Sequence, residues 1–303
     1  MRCAVSVAIP TYGREQALLE TIESLLCLEG QAAEILIIDQ TPVHEAKTEA
    51  RLGAWNEKSV IRWIRLAKPS IPKAMNEALR RATEAIVLFV DDDVIPLGEL
   101  VRAHAEAYER DDCAAVNGQV LQPGQEESDS QAREQGRGLR RDLVFGFNSS
   151  IPAYQIWSCI ACNLSVQREA ALRIGGFDEA FVGAAYRFET EFCRRLARAG
   201  GRTKFDPRAR VRHLKASTGG TRAWGHHLRT LSAAASVGDY YFAFVEGRGA
   251  ARWLYILGRM LREVRTRFHL THPWWIPVKV VGEVRGVWLA VALYRRRNDK
   301  AAT

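Results

Sequence analysis

Residues 85–93 read Ala85-Ile86-Val87-Leu88-Phe89-Val90-Asp91-Asp92-Asp93. The first six are apolar and rich in β-branched and aromatic side chains. A run of this length without alternation predicts a strand covered on both faces. Three carboxylates follow at once, and they repel one another unless a cation or hydrogen-bond donors lie between them. Along an extended chain Asp91 and Asp93 share one face and Asp92 points away. Oxygen ligands at that spacing suit Mg²⁺ or Mn²⁺, ions that bridge protein carboxylates and substrate phosphates. The plainer alternative is a solvated turn, or a helix N-cap ahead of Ile95-Pro96.

Upstream, strands and helices alternate. Val5–Ile9 (VSVAI) is a short apolar run stopped by Pro10. Glu15–Leu28 carries Leu18, Ile22, Leu25 and Leu26 at helical period. Glu34–Ile38 (EILII) is a second buried strand, ending at Asp39, and Ser59–Leu66 is a third. Ile71–Thr83 has Pro72 near its start and good helix formers after it. This alternation predicts an α/β fold with a mostly parallel, doubly wound sheet and flanking helices. Ligands of such sheets sit beyond the carboxyl ends of the strands, where Asp39 and the acidic triplet both fall. Downstream, residues 122–142 are polar and Gly-rich and read as a mobile loop. Trp157–Val166 is strand material, Gly175–Asp178 a turn, and Phe188–Ala199 a helix stopped by Gly200-Gly201. Beyond about residue 223 the pattern is helical, aromatic and basic.

The 303 residues suffice for one large α/β domain plus an appendage. The net charge of +8 is unevenly spread. Residues 241–303 hold 12 Lys/Arg against 4 Asp/Glu, and the rest balances to zero, so charge argues against a nucleic-acid partner. Six scattered cysteines show no disulfide framework, and Cys159–Cys162 is a lone C-x-x-C with no second pair. Reduced thiols in a cytoplasmic compartment are expected. The first apolar run is too short for a signal peptide. Pro10-Thr11-Tyr12-Gly13 lacks the dinucleotide-binding glycine pattern, which argues against a dehydrogenase, and no phosphate-loop motif occurs.

Several segments together resemble family 2 glycosyltransferases, whose fold is GT-A. VSVAIPTYGR resembles their first strand and turn, and EILIIDQT their second strand. IPKAMNEALRRATEAIVLFVDDDVIP is similar to the stretch leading into their D-x-D motif. CNLSVQREAALRIGGFDEAF resembles the acceptor-side segment, and RFETEFCRRLARAGGRTKFDPRARVRHL the one with the catalytic carboxylate. The resemblance covers roughly residues 3–222. It implies a catalytic domain over 1–222, with a donor half at about 1–121 and an acceptor half at about 143–222. It also implies inverting transfer of a sugar from a nucleotide-diphosphate donor to an acceptor hydroxyl, in cell-surface or secreted glycan synthesis.

By the same resemblance Glu189 is the catalytic base. Pro10, Thr11, Tyr12, Arg14, Asp39, Lys73, Asn76, Asp91, Asp92 and Arg222 bind the donor. Trp157, Asn163 and Asp178 face the acceptor. Asp91, Asp93 and His213 hold the metal. At Glu189 the family often has Glu-Asp; here the segment reads Phe-Glu-Thr-Glu. A Glu at a helix N-terminus is also favoured by the macrodipole alone, and a lone His is often structural. Ser217–Arg222 is expected to act as a flexible lid, with Arg222 as a phosphate clamp. One departure stands out: Met75 precedes Asn76 where the family often has Arg.

The C-terminal extension, residues 223–303, has an apolar stripe (Trp253, Leu257, Met260, Leu261, Val264, Phe268) with arginines largely off it. Trp274–Tyr294 is apolar but interrupted by Lys279, Glu283 and Arg285, which argues against a plain membrane span. Peripheral contact with an anionic membrane at its inner face is expected, bringing a carbohydrate or lipid-linked acceptor. Packing on the catalytic domain or in a homodimer is the alternative. Two other functions fit the acidic triplet: a metal-dependent nucleotidyltransferase, and a degenerate nucleotide-sugar-binding scaffold.

Overall fold

A computed structural model describes residues 3–28, 32–129, 138–141, 143, 145–220 and 227–302. In chain order the elements are β1 (Val5–Thr11), α1 (Gln16–Leu26), β2 (Glu34–Asp39), α2 (Ala46–Glu57), β3 (Arg62–Arg65), α3 (Ile71–Arg81), β4 (Ile86–Val90), β5 (Val94–Leu97), α4 (Leu100–Arg110) and β6 (Ala115–Leu121). Then come β7 (Asn163–Gln167), α5 (Arg168–Arg173), α6 (Phe188–Arg198), β8 (Thr203–His213), α7 (Val237–Glu246), α8 (Gly249–Val264), α9 (Arg267–Thr271) and α10 (Ile276–Ala302).

The strands form one eight-stranded sheet in the order β3-β2-β1-β4-β7-β6-β8-β5. The first four run parallel. The second half is mixed: β7 is antiparallel to β4 and β6, and β5 to β8, while β6 and β8 are parallel. The flanking helices complete the expected α/β architecture. The buried runs lie where near-continuous apolar strands belong, with all five residues of β4 buried. The edges carry what an edge tolerates: β3 is Arg-Trp-Ile-Arg, and β5 contains Pro96, which has no N–H to give a ladder.

Local signals explain the helices that frame the site. Ser70 caps α3 by accepting from the Lys73 N–H, and Pro72 occupies the first turn. Glu189 and Glu191 lie in the first turn of α6 and Arg195 and Arg198 in its last, matching the helix dipole.

Some expectations are trimmed. The third strand covers only Arg62–Arg65. Of Trp157–Val166, only the part from Asn163 onward joins the sheet. Within 122–142, residues 130–137 and 142 lie outside the described residues. The described part is tied down at Ser128, whose carbonyl accepts from the Ser150 N–H at 2.9 Å. All six cysteines are thiols rather than disulfides, and Cys113, Cys159, Cys162 and Cys193 are buried. The extension shares a core with the sheet: Tyr240, Tyr241, Phe242, Tyr255 and Ile256 pack in one cluster with Phe89, Phe177, Phe181 and Phe188.

Candidate active site

β1, β2 and β4 are parallel, so their carboxyl ends open on one edge, and a cavity of about 520 Å³ lies there. The acidic triplet leaves β4 directly into it. His213 arrives by a second route. β5 turns back after the triplet and pairs with β8 in the register Val94 to His213, and the Leu214 N–H donates to the Asp93 carbonyl at 2.8 Å. His213 Nε2 therefore stands 3.2 Å from Asp93 and 3.5 Å from Asp91. Gln122 Oε1 lies 3.1 Å from His213 Nδ1, where it accepts the Nδ1 proton and leaves Nε2 facing the carboxylates.

The charges of this corner are strongly coupled. Burial opposes protonation of His213, but Asp91 and Asp93 outweigh it and raise it to about 9. Burial pushes Asp93 up, while His213, the Ala216 N–H and Arg14 pull it below the ordinary carboxylate range. Asp92 is pushed up to about 7 by burial, against the pull of Arg14. One ligand atom each from Asp91, Asp93 and His213 lies within 4.8 Å of the others. Two carboxylates and an imidazole so placed fit a divalent cation.

Arg14 joins three parts of the cavity. It pairs with Asp92 at 3.2 Å and Asp93 at 3.1 Å, and it donates to the carbonyls of Ala216 and Thr218. The segment 214–220 thus lies over the acidic corner. Its Gly220 N–H donates to the Tyr12 carbonyl at 2.6 Å. Gly219 (φ 72°) is so close to the first turn that a Cβ there would stand 2.1 Å from the Gly13 carbonyl oxygen. Glu189, 8% exposed, lines the same cavity with Phe188 and residues 160–162.

The profile of Glycosyl transferase family 2 matches residues 6–175, more than half of the chain. The chain belongs to that family. No curated protein matches the sequence. Solved structures with a similar fold include the mannosyltransferase PcManGT from Pyrobaculum calidifontis in complex with GDP-Man and Mn²⁺. It is 19% identical, with a TM-score of 0.57 over 100% of this chain and 81% of its own. GalNAc-T7 with UDP, GalNAc and Mn²⁺ has a TM-score of 0.59 at 15% identity, covering 87% of this chain and 54% of its own. S. aureus TarS has 0.55 at 13%, covering 88% and 44%. At these identities the likeness establishes the fold, GT-A.

In this glycosyltransferase Pro10, Thr11, Tyr12, Arg14, Asp91, Asp92, Asp93, His213 and Glu189 line one cavity. Other expected residues sit elsewhere. Asp39 is fully buried, and its carboxylate accepts from Trp63 Nε1 at 2.8 Å and the Thr41 N–H at 2.8 Å and meets His44 Nε2 at 2.9 Å. Its neighbour Gln40 lines the cavity instead. Lys73 is exposed on α3, outside the lining, while Met75 is part of it. Asn76 braces α3 to the 175–179 turn: it donates to the Phe177 carbonyl at 2.8 Å and accepts from the Phe177 N–H at 2.7 Å.

Asn163 is wholly buried, donating to the carbonyls of Gln119 and Ala209 and bonding His104 at 2.8 Å. Asp178 accepts from Tyr241 at 2.9 Å and Arg297 at 2.8 Å. Trp157 lies under the Arg141 guanidinium at 3.9 Å. Glu191 is fully buried and paired with Arg195 at 2.8 Å. Arg222 is outside the described residues. Gln122, Lys215 and the Ala216 N–H are site features that the sequence reading missed. Gln122 is brought to His213 by the β6–β8 pairing, and Lys215 and Ala216 follow the β5–β8 pairing, for which a four-residue strand holding a proline gives no signal.

Proposed function

We propose that this glycosyltransferase moves a sugar, with inversion, from a nucleotide-diphosphate donor onto an acceptor hydroxyl. One observation carries the reading: a single cavity is lined both by the acid–imidazole cluster and by Glu189. Asp91, Asp93 and His213 would hold Mg²⁺ or Mn²⁺. When bound, that ion supplies positive charge against the diphosphate leaving group. Lys215 and the 214–220 segment cover the diphosphate end and exclude water. Glu189 takes the proton of the acceptor hydroxyl. The acceptor oxygen then bonds the anomeric carbon from the face opposite the leaving group. The bond from that carbon to the diphosphate oxygen breaks, and its electron pair leaves with the nucleoside diphosphate.

In this reading residues 1–121 form the donor half, 143–222 the acceptor half and 223–303 a helical extension. The extension is the membrane-facing part. Trp253, Leu257 and Leu261 on α8 and Val281, Val284 and Trp288 on α10 are exposed, and Arg262, Arg265, Arg285, Arg295 and Arg296 are exposed among them. Exposed apolar residues and exposed arginines on the same helical extension fit an anionic lipid surface. Among the described residues no helix is long and apolar enough to cross a membrane. A lipid-linked acceptor in cell-surface or secreted glycan synthesis is consistent with that surface.

The test is a thermal-shift series of nucleoside-diphosphate sugars with and without Mn²⁺. A true donor at about 100 times its Kd adds about 2.7 kcal/mol to the native state, and it should do so only with the metal. Metal-dependent pyrophosphate release from a nucleoside triphosphate would instead favour a nucleotidyltransferase.

A further inference from the structure

The turn before α6 follows a strained path. Ala185 (φ 50°) and Arg187 (φ 76°) are both left-handed, a conformation that costs a non-glycine residue about 1–3 kcal/mol unless its surroundings enforce it. The enforcing contacts come from the helical extension. The Ala184 N–H donates to the Ala234 carbonyl at 2.9 Å. Gly238, in the first turn of α7, approaches so closely that a Cβ there would stand 2.5 Å from the Tyr186 carbonyl oxygen. Arg187 Nε donates to Asp239 Oδ1 at 3.0 Å. Asp239 is itself fixed: it accepts from Tyr255 at 2.9 Å and from Arg259 Nε at 3.0 Å, and it is 7% exposed. Arg187 also starts α6, since its carbonyl accepts from the Glu191 N–H at 2.9 Å. Glu189 follows two residues later.

We propose that Asp239 is a positioning residue for glycosyl transfer: through Arg187 it holds the turn that launches α6, and so aims Glu189 at the acceptor. This rests on Glu189 being the base. A general base works only within hydrogen-bond reach of the proton it takes. A displacement of about 1 Å caused far from the chemistry can cost about 100-fold in rate. The extension is thereby part of the catalytic machinery's support as well as a surface. The charges at the turn agree with this. Burial disfavours the charge on Arg187, but Asp239 and Tyr255, with a smaller share from Glu189, together outweigh it.

The test compares Asp239→Asn with Glu283→Gln in the full chain. Glu283 belongs to the same buried ion network, where it bonds Tyr240, Arg259 and Lys279, none of them on α6. Both substitutions should lower Tm. Asp239→Asn should also lower kcat by about 10- to 100-fold with donor Kd unchanged. Glu283→Gln should leave kcat within about twofold. Arg187→Lys, which keeps the charge but not the fork, should fall in between. If Asp239→Asn does not fold, Arg187→Gln carries the same expectation from the other side of the tether. Wild-type kcat in a folded Asp239→Asn or Arg187→Gln enzyme overturns the proposal. So does an equal kcat loss in Glu283→Gln, which would mark general loosening of the extension. Glu189→Gln separates the two ideas. Normal turnover there removes the base itself, whereas a large loss there beside normal turnover in Asp239→Asn removes only the tether.

Discussion

Glu189 lies one residue inside α6 and faces the cavity that the acidic triplet and His213 also line. Glu189→Gln keeps its size and removes the basic oxygen, so kcat should fall by about 10²–10⁴-fold. Donor Kd and Tm should stay near wild type. A helix-dipole role alone would give normal turnover and a stability loss of about 0.3–1 kcal/mol. The other carboxylates near α6 are poor substitutes, since Glu191 is held by Arg195 and Asp178 by Tyr241 and Arg297. At residue scale the sequence was readable where chemistry and position coincide: a triplet at a strand end, and a Glu at a helix start. It was not readable where a polar side chain serves the core. Asn163 and Asn76 look like ligand contacts in one dimension, yet in three they bond buried backbone carbonyls and an N–H group.

Among the elements, the 214–220 segment is seated by backbone contacts that leave no room for a side chain at Gly219. Gly219→Ala should force it off the first turn, raise the donor KM by about tenfold and change Tm little. The continuous apolar runs β1, β2 and β4 and the helices α1, α3 and α6 could be read from the sequence. α2 could not, because only Thr48, Leu52 and Trp55 of its residues are buried. In α10 the charges mislead. Lys279 and Glu283, which break the apolar run, point inward to a buried network with Glu263 and Arg259. Burial pushes Asp239 and Glu263 up, but Arg259, with Arg187 and Lys279, holds both below their ordinary values. Carboxylates depressed in this way contribute stability that is full above their unfolded pKa values, about 4, and lost as pH falls through the folded ones. Tm should therefore drop on acidification below about pH 4–5, and less so in Asp239→Asn. Arg259→Leu removes the buried cation that Asp239 and Glu283 share and should cost about 3–5 kcal/mol, read by denaturant unfolding.

For the whole molecule, one sheet edge gathers the chemistry and the C-terminal helices add a basic, apolar face. That face predicts binding to vesicles rich in anionic lipid at low salt, weakening steeply as salt rises over the range where the Debye length falls below about 10 Å. Indifference to such vesicles, with a concentration-dependent dimer in sedimentation, would assign the face to a second copy. The sequence could place the charge excess in the tail, but it could not show that the tail shares a core with the rest of the fold, because those contacts join residues far apart in the chain, such as Phe181 with Tyr241 and Asp178 with Arg297. The most direct test of metal-assisted sugar transfer is nucleoside diphosphate release from the donor found by thermal shift, measured with acceptor present. Excess chelator should abolish release and Mn²⁺ or Mg²⁺ should restore it, while Asp93→Asn stays folded but binds donor at least about tenfold more weakly with metal. Full release in excess chelator, or wild-type donor affinity in Asp93→Asn, would contradict the account.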